Sequence, residues 1–163
     1  MVNIGDADRA RHESDRRRHP LLLFRLQLAV RGWSLLIAVV ALQSNLSRLL
    51  SWTGPGKRKP YIGLGAETIW RCCHRTVKHP RVMRDRPCLR EGLLLNRYLV
   101  MAGFEPSLHF GIDKDSIRDP KVRAHCWVRL GARIFNPPTP AMIEIHTHVD
   151  HGNGTAAAGG LQI

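Results

Sequence analysis

The chain has 163 residues, a hydrophobic fraction of 44% and a formal net charge of +12 at pH 7. Its length suits one domain with a single core, and its apolar content excludes a chain that is disordered throughout. The charge limits the partners rather than the fold, because a basic surface attracts nucleic acid, anionic membranes and acidic peptides alike. The basic runs lack a zinc-finger spacing, a helix-turn-helix pattern or an aromatic RNA motif, so we expect no nucleic-acid partner.

The first part of the chain changes from polar to apolar. Residues 1–19 are arginine-rich without apolar periodicity, which predicts a disordered basic N-terminus. The apolar segment 21–50 predicts one or two helices, with Gly32 as a candidate break. Arg25 and Arg31 interrupt the apolar run, which argues against a signal peptide or a spanning helix. We expect a long helix that is buried or docked on a surface, with association of 21–50 with a membrane surface as the alternative.

Two further helices are expected after a loop at 51–60, which is rich in glycine, proline and lysine. Residues 66–78 carry apolar side chains at helical spacing and predict the first of them. Residues 88–102 give the clearest helical pattern. Pro87 precedes the expected start of this helix, and Gly103 is placed as its stop.

The spacing of apolar residues then changes from the helical period to alternation. Alternating patterns over 107–113, 123–130 and 142–148 predict strands. Gly131 and Ala132 separate the second of these from a short run at 133–136, which predicts a β-hairpin.

Helices followed by strands predict an α+β fold, with N-terminal helices before a small antiparallel sheet. A single domain is expected over 20–151, helical in 20–102 and β-rich in 106–148. The segment 152–163 consists mostly of small residues and glycine, which predicts a flexible tail.

The four cysteines argue against a disulfide-stapled secreted protein. None of them forms a C-x-x-C pair, and two are adjacent: Cys72, Cys73, Cys88 and Cys126. Reduced thiols in a cytosol fit this pattern better, so we expect a cytoplasmic protein.

Cys88 is the candidate nucleophile. It stands at the expected start of a helix, where free backbone N–H groups and the helix dipole favour negative charge. Arg84, Arg86 and Arg90 add positive potential nearby, and both effects lower the pKa of a thiol. The thiolate is the nucleophile, and the same amides could hold an oxyanion. The alternative for such a cysteine is burial as a structural residue.

His125 is the candidate base, and Asn136 is the candidate residue that orients it. Because side chains alternate along a strand, His125 shares a face with Trp127 and points away from the apolar row. A two-residue turn at Gly131 and Ala132 pairs Trp127 with Asn136, within reach of the imidazole. A turn centred on Leu130 and Gly131 would place Asn136 directly opposite His125, whereas a three-residue loop would turn Asn136 to the other face. The alternatives are an ordinary histidine and a plain turn asparagine.

Three segments of the chain together resemble one known family. They are RPCLREGLLLNRYLVMAGF (86–104), LHFGI (108–112) and RAHCWV (123–128). The combination resembles the transglutaminase-like leader peptidases of lasso-peptide, or microcin-type, biosynthesis, in the form of a stand-alone protease domain. The resemblance covers about residues 20–136.

The resemblance implies a papain/transglutaminase-like cysteine-protease fold with Cys88 as nucleophile and His125 as general base. Asn136 stands near the place where the family has an aspartate, and asparagine serves the same purpose in papain-like triads. The implied activity is removal of the leader from a ribosomally made precursor peptide in a bacterial cytoplasm, without a cofactor. The implied partners are that precursor, a separate leader-docking protein and an asparagine-synthetase-like lasso cyclase.

Two other classes of function remain open from the sequence. One is an acyl transferase or amidase on the same fold, and the other is a non-enzymatic basic module that binds membrane or nucleic acid. An inactive relative is a further alternative, because Asn136 stands where the family has an aspartate. His146, His148 and His151 form H-x-H-x-x-H, a weak signal for a metal site without an evident cysteine partner, so we expect no metal.

Overall fold

The computed structural model describes most of the predicted domain. The described residues are 19–40, 50, 58–78, 87–120 and 122–149. The expected N-terminal segment, apart from His19, and the expected tail at 152–163 lie outside these residues. Within the described residues, three helices precede four strands, which confirms the predicted α+β fold.

The first helix, α1, spans Pro20–Val40 and passes through Gly32 without interruption. The expected break at Gly32 is therefore wrong. Leu26 and Val30 before it and Ile37 after it are all buried, and α1 packs against both of the other helices. The burial of apolar side chains on both sides of Gly32 stabilises one continuous helix. This stabilisation is larger than the cost of placing a single glycine inside a helix.

The other two helices lie close to their predicted positions. Helix α2 spans Ala66–Val77, and its predicted apolar residues, among them Ile69 and Cys73, are buried. Helix α3 spans Pro87–Met101, so Pro87 is its first residue rather than the residue before it. Proline suits the first helical position because the N–H that it lacks would have no partner inside the helix.

Gly103 ends α3 as predicted. Its N–H donates to the carbonyl of Val100 at 2.9 Å, and the N–H of Phe104 donates to the carbonyl of Leu99 at 3.0 Å. These two bonds satisfy carbonyls that a helix end leaves without partners. The chain then turns directly into the sheet.

The four strands form one antiparallel sheet in the order β3-β2-β1-β4. Their bounds are β1 Ser107–Asp113, β2 Ala124–Leu130, β3 Arg133–Phe135 and β4 Met142–Val149. Leu130 pairs with Arg133 across the tip of the β2–β3 hairpin, which confirms the two-residue turn. Because β3 has three residues, it covers only the second half of β2.

Helix α3 packs directly on the sheet, and Gly92 determines how closely. A Cβ atom at Gly92 would lie 2.5 Å from Sγ of Cys126 on β2 and 3.0 Å from Cδ1 of Leu108 on β1. Any larger residue would push the helix away from the strands. Because Gly92 has no side chain, α3 can approach the sheet closely enough to bring its first turn beside the start of β2.

Candidate active site

An open cleft of about 600 Å³ lies where the first turn of α3 meets the sheet. Its lining comes from the end of α2, the start of α3, the start of β2 and the segment after β3: Val77, Lys78, Pro87, Cys88, Glu91, His125, Asn136 and Pro137. The three residues predicted from the sequence as a catalytic set therefore line the same cleft, although 48 positions separate the first from the last.

Cys88, on α3, lies beside the part of β2 that β3 leaves uncovered. Its Sγ is 4.0 Å from the carbonyl oxygen of Ala124. A hydrogen bond with the imidazole of His125 has the largest effect on the pKa of Cys88 and lowers it. Backbone N–H groups of Leu89 and Cys126 lower this pKa further, while partial burial opposes the shift. The sulfur is therefore held among hydrogen-bond donors that favour the thiolate.

The origin of this pKa shift differs in part from the sequence prediction. The helix start contributes through the Leu89 amide, as expected, but the main contributor is His125 rather than an arginine. Arg90 is buried within α3. Arg84 and Arg86 lie outside the described residues.

Cys88 is also distinct from the other three cysteines. Burial raises the pKa of Cys72, Cys73 and Cys126, which belong to the core. A raised pKa keeps a thiol protonated and unreactive near neutral pH. Cys88 is therefore the thiol of this chain that is suited to nucleophilic chemistry.

The imidazole of His125 bridges Cys88 and the main chain of the segment after β3. Its Nε2 donates to the carbonyl oxygen of Asn136 at 3.0 Å, which leaves Nδ1 for the sulfur. The bond to Cys88 raises the pKa of His125 most, and the Asn136 carbonyl and the Glu91 carboxylate raise it further, against the effect of burial. A lowered thiol pKa beside a raised imidazole pKa favours a thiolate–imidazolium pair.

Asn136 contacts His125 through its backbone and not, as predicted, through its side chain. The β2–β3 ladder ends at the pair Val128 and Phe135, so the predicted pairing of Trp127 with Asn136 does not form. Asn136 has φ +54°, a left-handed conformation that turns the chain out of the strand. This turn presents the carbonyl to the ring. The predicted orienting residue is thus in place, but a different group makes the contact.

Trp127 lies between two histidines on the outer face of the sheet. Its ring is 6.2 Å from that of His125 and 5.7 Å from that of His109, with interplanar angles of 19° and 9°. His109 is itself held at both nitrogens, by Ser107 Oγ at 2.7 Å and by Glu144 Oε1 at 2.9 Å. The indole of Trp127 therefore packs against the fixed ring of His109 and restricts the orientation of the His125 imidazole on its other side.

Gly111 makes room for this stack. A Cβ atom there would lie 2.9 Å from two ring carbons of Trp127 and 2.9 Å from the carbonyl oxygen of Ile143. Gly111 pairs with His125 across β1 and β2. Gly111 belongs to the segment LHFGI (108–112) that carries the family resemblance, and its close contacts with Trp127 and Ile143 require glycine at this position.

Glu91 is a cleft residue that the sequence analysis missed. It is buried on α3, one turn after Cys88, and its Oε1 lies 2.9 Å from Nδ1 of His74 on α2. Its carboxylate raises the pKa of His125. The spacing of three residues from Cys88 is the signal that would have placed Glu91 on the same helix face.

In the part of the chain that the structure describes, the histidines of the H-x-H-x-x-H motif do not form a cluster comparable to the residues of the Cys88 cleft. His146 packs its ring against Phe110 at 5.8 Å on the β1–β4 pair. His151 lies outside the described residues. Among the described residues, no group of three or more His, Cys, Asp or Glu side chains is arranged to hold a metal ion.

Comparison with known families gives one match. The sequence model of the transglutaminase-like superfamily matches residues 21–145, from the second residue of α1 through β3 to the middle of β4. Comparison with curated proteins and with solved structures gives no significant match.

Proposed function

The chain belongs to the transglutaminase-like superfamily, and from that membership we propose that it is a cysteine peptidase that removes the leader of a precursor peptide in lasso-peptide biosynthesis. The observation that carries the enzymatic part is that Cys88 and His125 line the same open cleft, where the imidazole lowers the pKa of the thiol. The finer assignment is supported by the resemblance of segments 86–104, 108–112 and 123–128 to leader peptidases of that pathway.

In the first half of the proposed reaction, the Cys88 thiolate attacks the scissile carbonyl carbon and a C–S bond forms. Backbone N–H groups at the start of α3, including that of Cys88, stabilise the oxyanion. The His125 imidazolium gives its proton to the leaving nitrogen, and the C–N bond breaks. The products are a thioester on Cys88 and the released core peptide with a free amino terminus.

In the second half, neutral His125 takes a proton from water, and the resulting hydroxide attacks the thioester. The C–S bond breaks, the leader leaves as a carboxylic acid that loses its proton to solvent, and the thiolate–imidazolium pair is restored. The Asn136 carbonyl accepts the Nε2 proton of His125 and holds Nδ1 toward the sulfur throughout. The backbone of Asn136 thus takes the orienting part that a side chain takes in the family.

The shape of the cleft suits a peptide. It is open to solvent, and Val77, Pro87 and Pro137 give it apolar walls. We expect the precursor to reach it with a separate leader-docking protein and to pass its new amino terminus to an asparagine-synthetase-like cyclase in the bacterial cytoplasm.

The test is to incubate the full chain with a candidate precursor peptide and a candidate leader-docking protein and to read the product masses. Hydrolysis adds the mass of water to the leader fragment, whereas transfer adds the mass of an amine and would establish the acyl-transferase alternative. Cys88→Ala should abolish the product, and Cys126→Ala is the matched control because that thiol is buried in the core. Equal cleavage by the Cys88→Ala protein would overturn the proposal.

A further inference from the structure

Helix α1 has a second apolar face, and this face is exposed. Leu21, Phe24, Leu28 and Leu35 are between 53% and 79% exposed. Their spacings of three, four and seven residues place them on one side of the helix. They form an exposed stripe about four turns long.

The opposite side of α1 is fixed in the core. Leu23, Leu26, Val30 and Ile37 are buried there, and α1 packs against α2 and α3. By length and composition Pro20–Ile37 could cross a membrane. A spanning helix would have to take its core face out of the domain, so the packing leaves only an orientation in which α1 lies along a surface.

Two arginines border the exposed stripe. At about 100° per residue, Arg25 and Arg31 fall on opposite sides of the line through Phe24 and Leu28. Both arginines are exposed. Arginine side chains extend their charged ends toward water or phosphate while their stems lie along apolar surface. An apolar stripe between two cationic borders is the arrangement expected of a helix at a membrane interface.

We propose that α1 docks this protein on the surface of a bilayer rich in anionic phospholipids. The apolar stripe enters the boundary between headgroups and acyl chains, and Arg25 and Arg31 bind lipid phosphates on either side of it. The net charge of +12 adds attraction to such a surface. This inference is independent of the proposed peptidase activity, since none of the stripe residues lines the cleft.

Charge favours lipid over a second copy of this chain on the same face. In a symmetric dimer through the stripe, the arginine borders of the two copies would meet each other. Like charges in contact disfavour association. Anionic headgroups instead match both borders.

The first experiment measures binding of the full chain to sedimented vesicles of phosphatidylcholine alone and of an equal mixture with phosphatidylglycerol. We expect binding to be at least about tenfold tighter with the anionic lipid and to weaken with added salt. The double substitution Phe24→Ser and Leu28→Ser should weaken it about tenfold. The matched control is Ile143→Ser with Ile145→Ser on β4, since those residues are 48% and 54% exposed.

The second experiment tests the arginine borders. Arg25→Gln with Arg31→Gln should weaken binding to the anionic vesicles about tenfold. The control, Lys114→Gln with Arg118→Gln, removes the same charge from an exposed turn after β1 and should change binding less than about twofold.

Three outcomes would overturn the proposal. One is equal binding to the two vesicle types, and another is an equal loss in the α1 variants and their controls, which would indicate nonspecific attraction of a basic protein. The third is a dimer, detected by sedimentation without lipid, that the Phe24→Ser and Leu28→Ser substitutions dissociate. All eight substituted sites are exposed, so circular dichroism should show an unchanged fold in each variant.

Discussion

Two histidines on the sheet, His125 and His109, have the same pattern of contacts and different surroundings. Each imidazole has two polar partners, and each stacks on Trp127. The partners of His109 are a serine hydroxyl and a carboxylate, Ser107 and Glu144. By contact pattern alone, the His109 group resembles a catalytic triad more closely than the His125 group does.

The surroundings of His109 and His125 differ in exposure and in the nucleophile that is present. His109 is only 7% exposed, and Ser107 opens a strand rather than a helix. Glu144 also accepts a bond from Thr147, which ties β4 to the network. His125 instead faces a sulfur with amide donors around it, in a cleft that a peptide can enter. A hydrogen-bonded histidine becomes a candidate for chemistry only where the nucleophile's anion is stabilised and a substrate can reach it.

The largest expected effect separates the two nucleophile candidates. Cys88→Ala should lower leader cleavage by about 10³-fold or more, because the covalent step loses its sulfur. Ser107→Ala should leave the rate within about twofold and should not change labelling by a serine-directed fluorophosphonate probe. The measurement is product mass against time. Comparable losses in the two variants would assign both groups to one mechanism and contradict the distinction.

The next effect concerns the acid–base partner. The lowered pKa of Cys88 keeps it as a thiolate below the usual thiol pKa of about 8.5. The thiolate is lost as the pH falls through that lowered value. His125→Ala removes the largest cause of the shift, so the pH profile of Cys88 alkylation by iodoacetamide should move to higher pH.

At neutral pH, the alkylation rate of the His125→Ala protein should fall about tenfold, read by peptide mapping at Cys88. His109→Gln is the control, and its profile should keep the midpoint of the parent protein. A shift of equal size in both variants would mean that the two histidines act on the thiol together.

A smaller effect tests the packing that joins the two histidines. Gly111→Ala forces Trp127 out of its place between them, and we expect a loss of about 1–3 kcal/mol in the free energy of unfolding. Gly32→Ala is the control, since a Cβ atom there meets nothing within 4 Å. It should raise stability by about 0.5–1 kcal/mol. Urea denaturation measures both, and unchanged stability of the Gly111→Ala protein would refute the stack as a constraint.

The smallest effect concerns Asn136. Asn136→Ala should cost about 1 kcal/mol of stability, because alanine lacks the short polar side chain that lets asparagine adopt φ +54° at lower cost. Asn136→Gly tolerates this φ and keeps the carbonyl that binds His125, so cleavage should stay within a few-fold of the parent. If the Asn136→Gly protein were as inactive as the His125→Ala protein, the side chain would have the role that the structure gives to the backbone.

The local pattern of apolar residues was sufficient to predict much of the fold. Apolar periodicity placed α2 and α3 to within one or two residues, and alternation placed the strands. Gly103 and the turn at Gly131 and Ala132 were readable because each depends on neighbouring residues alone. The break expected at Gly32 failed because packing on both sides outweighed its weak propensity for helix.

The sequence identified which residues form the site, but it predicted their contacts less accurately. The sequence by itself determined that Cys88 stands at a helix start and that His125 faces away from the apolar row of its strand. Only the tertiary structure decided that the two meet, because that depends on how closely α3 approaches β2 over Gly92. The carbonyl of Asn136 took the place predicted for its side chain because a left-handed residue ended the ladder one pair early.

The roles of Glu91 and of the stack of Trp127 with His109 and His125 could likewise not be predicted from the sequence. Their identities are plain in the sequence, but a buried carboxylate and a ring held between two others arise from elements distant along the chain. Backbone periodicity is a local property, and the sequence determines it directly. The direction and partner of a side chain at the edge of a sheet depend on packing among all the elements, and only the folded chain decides them.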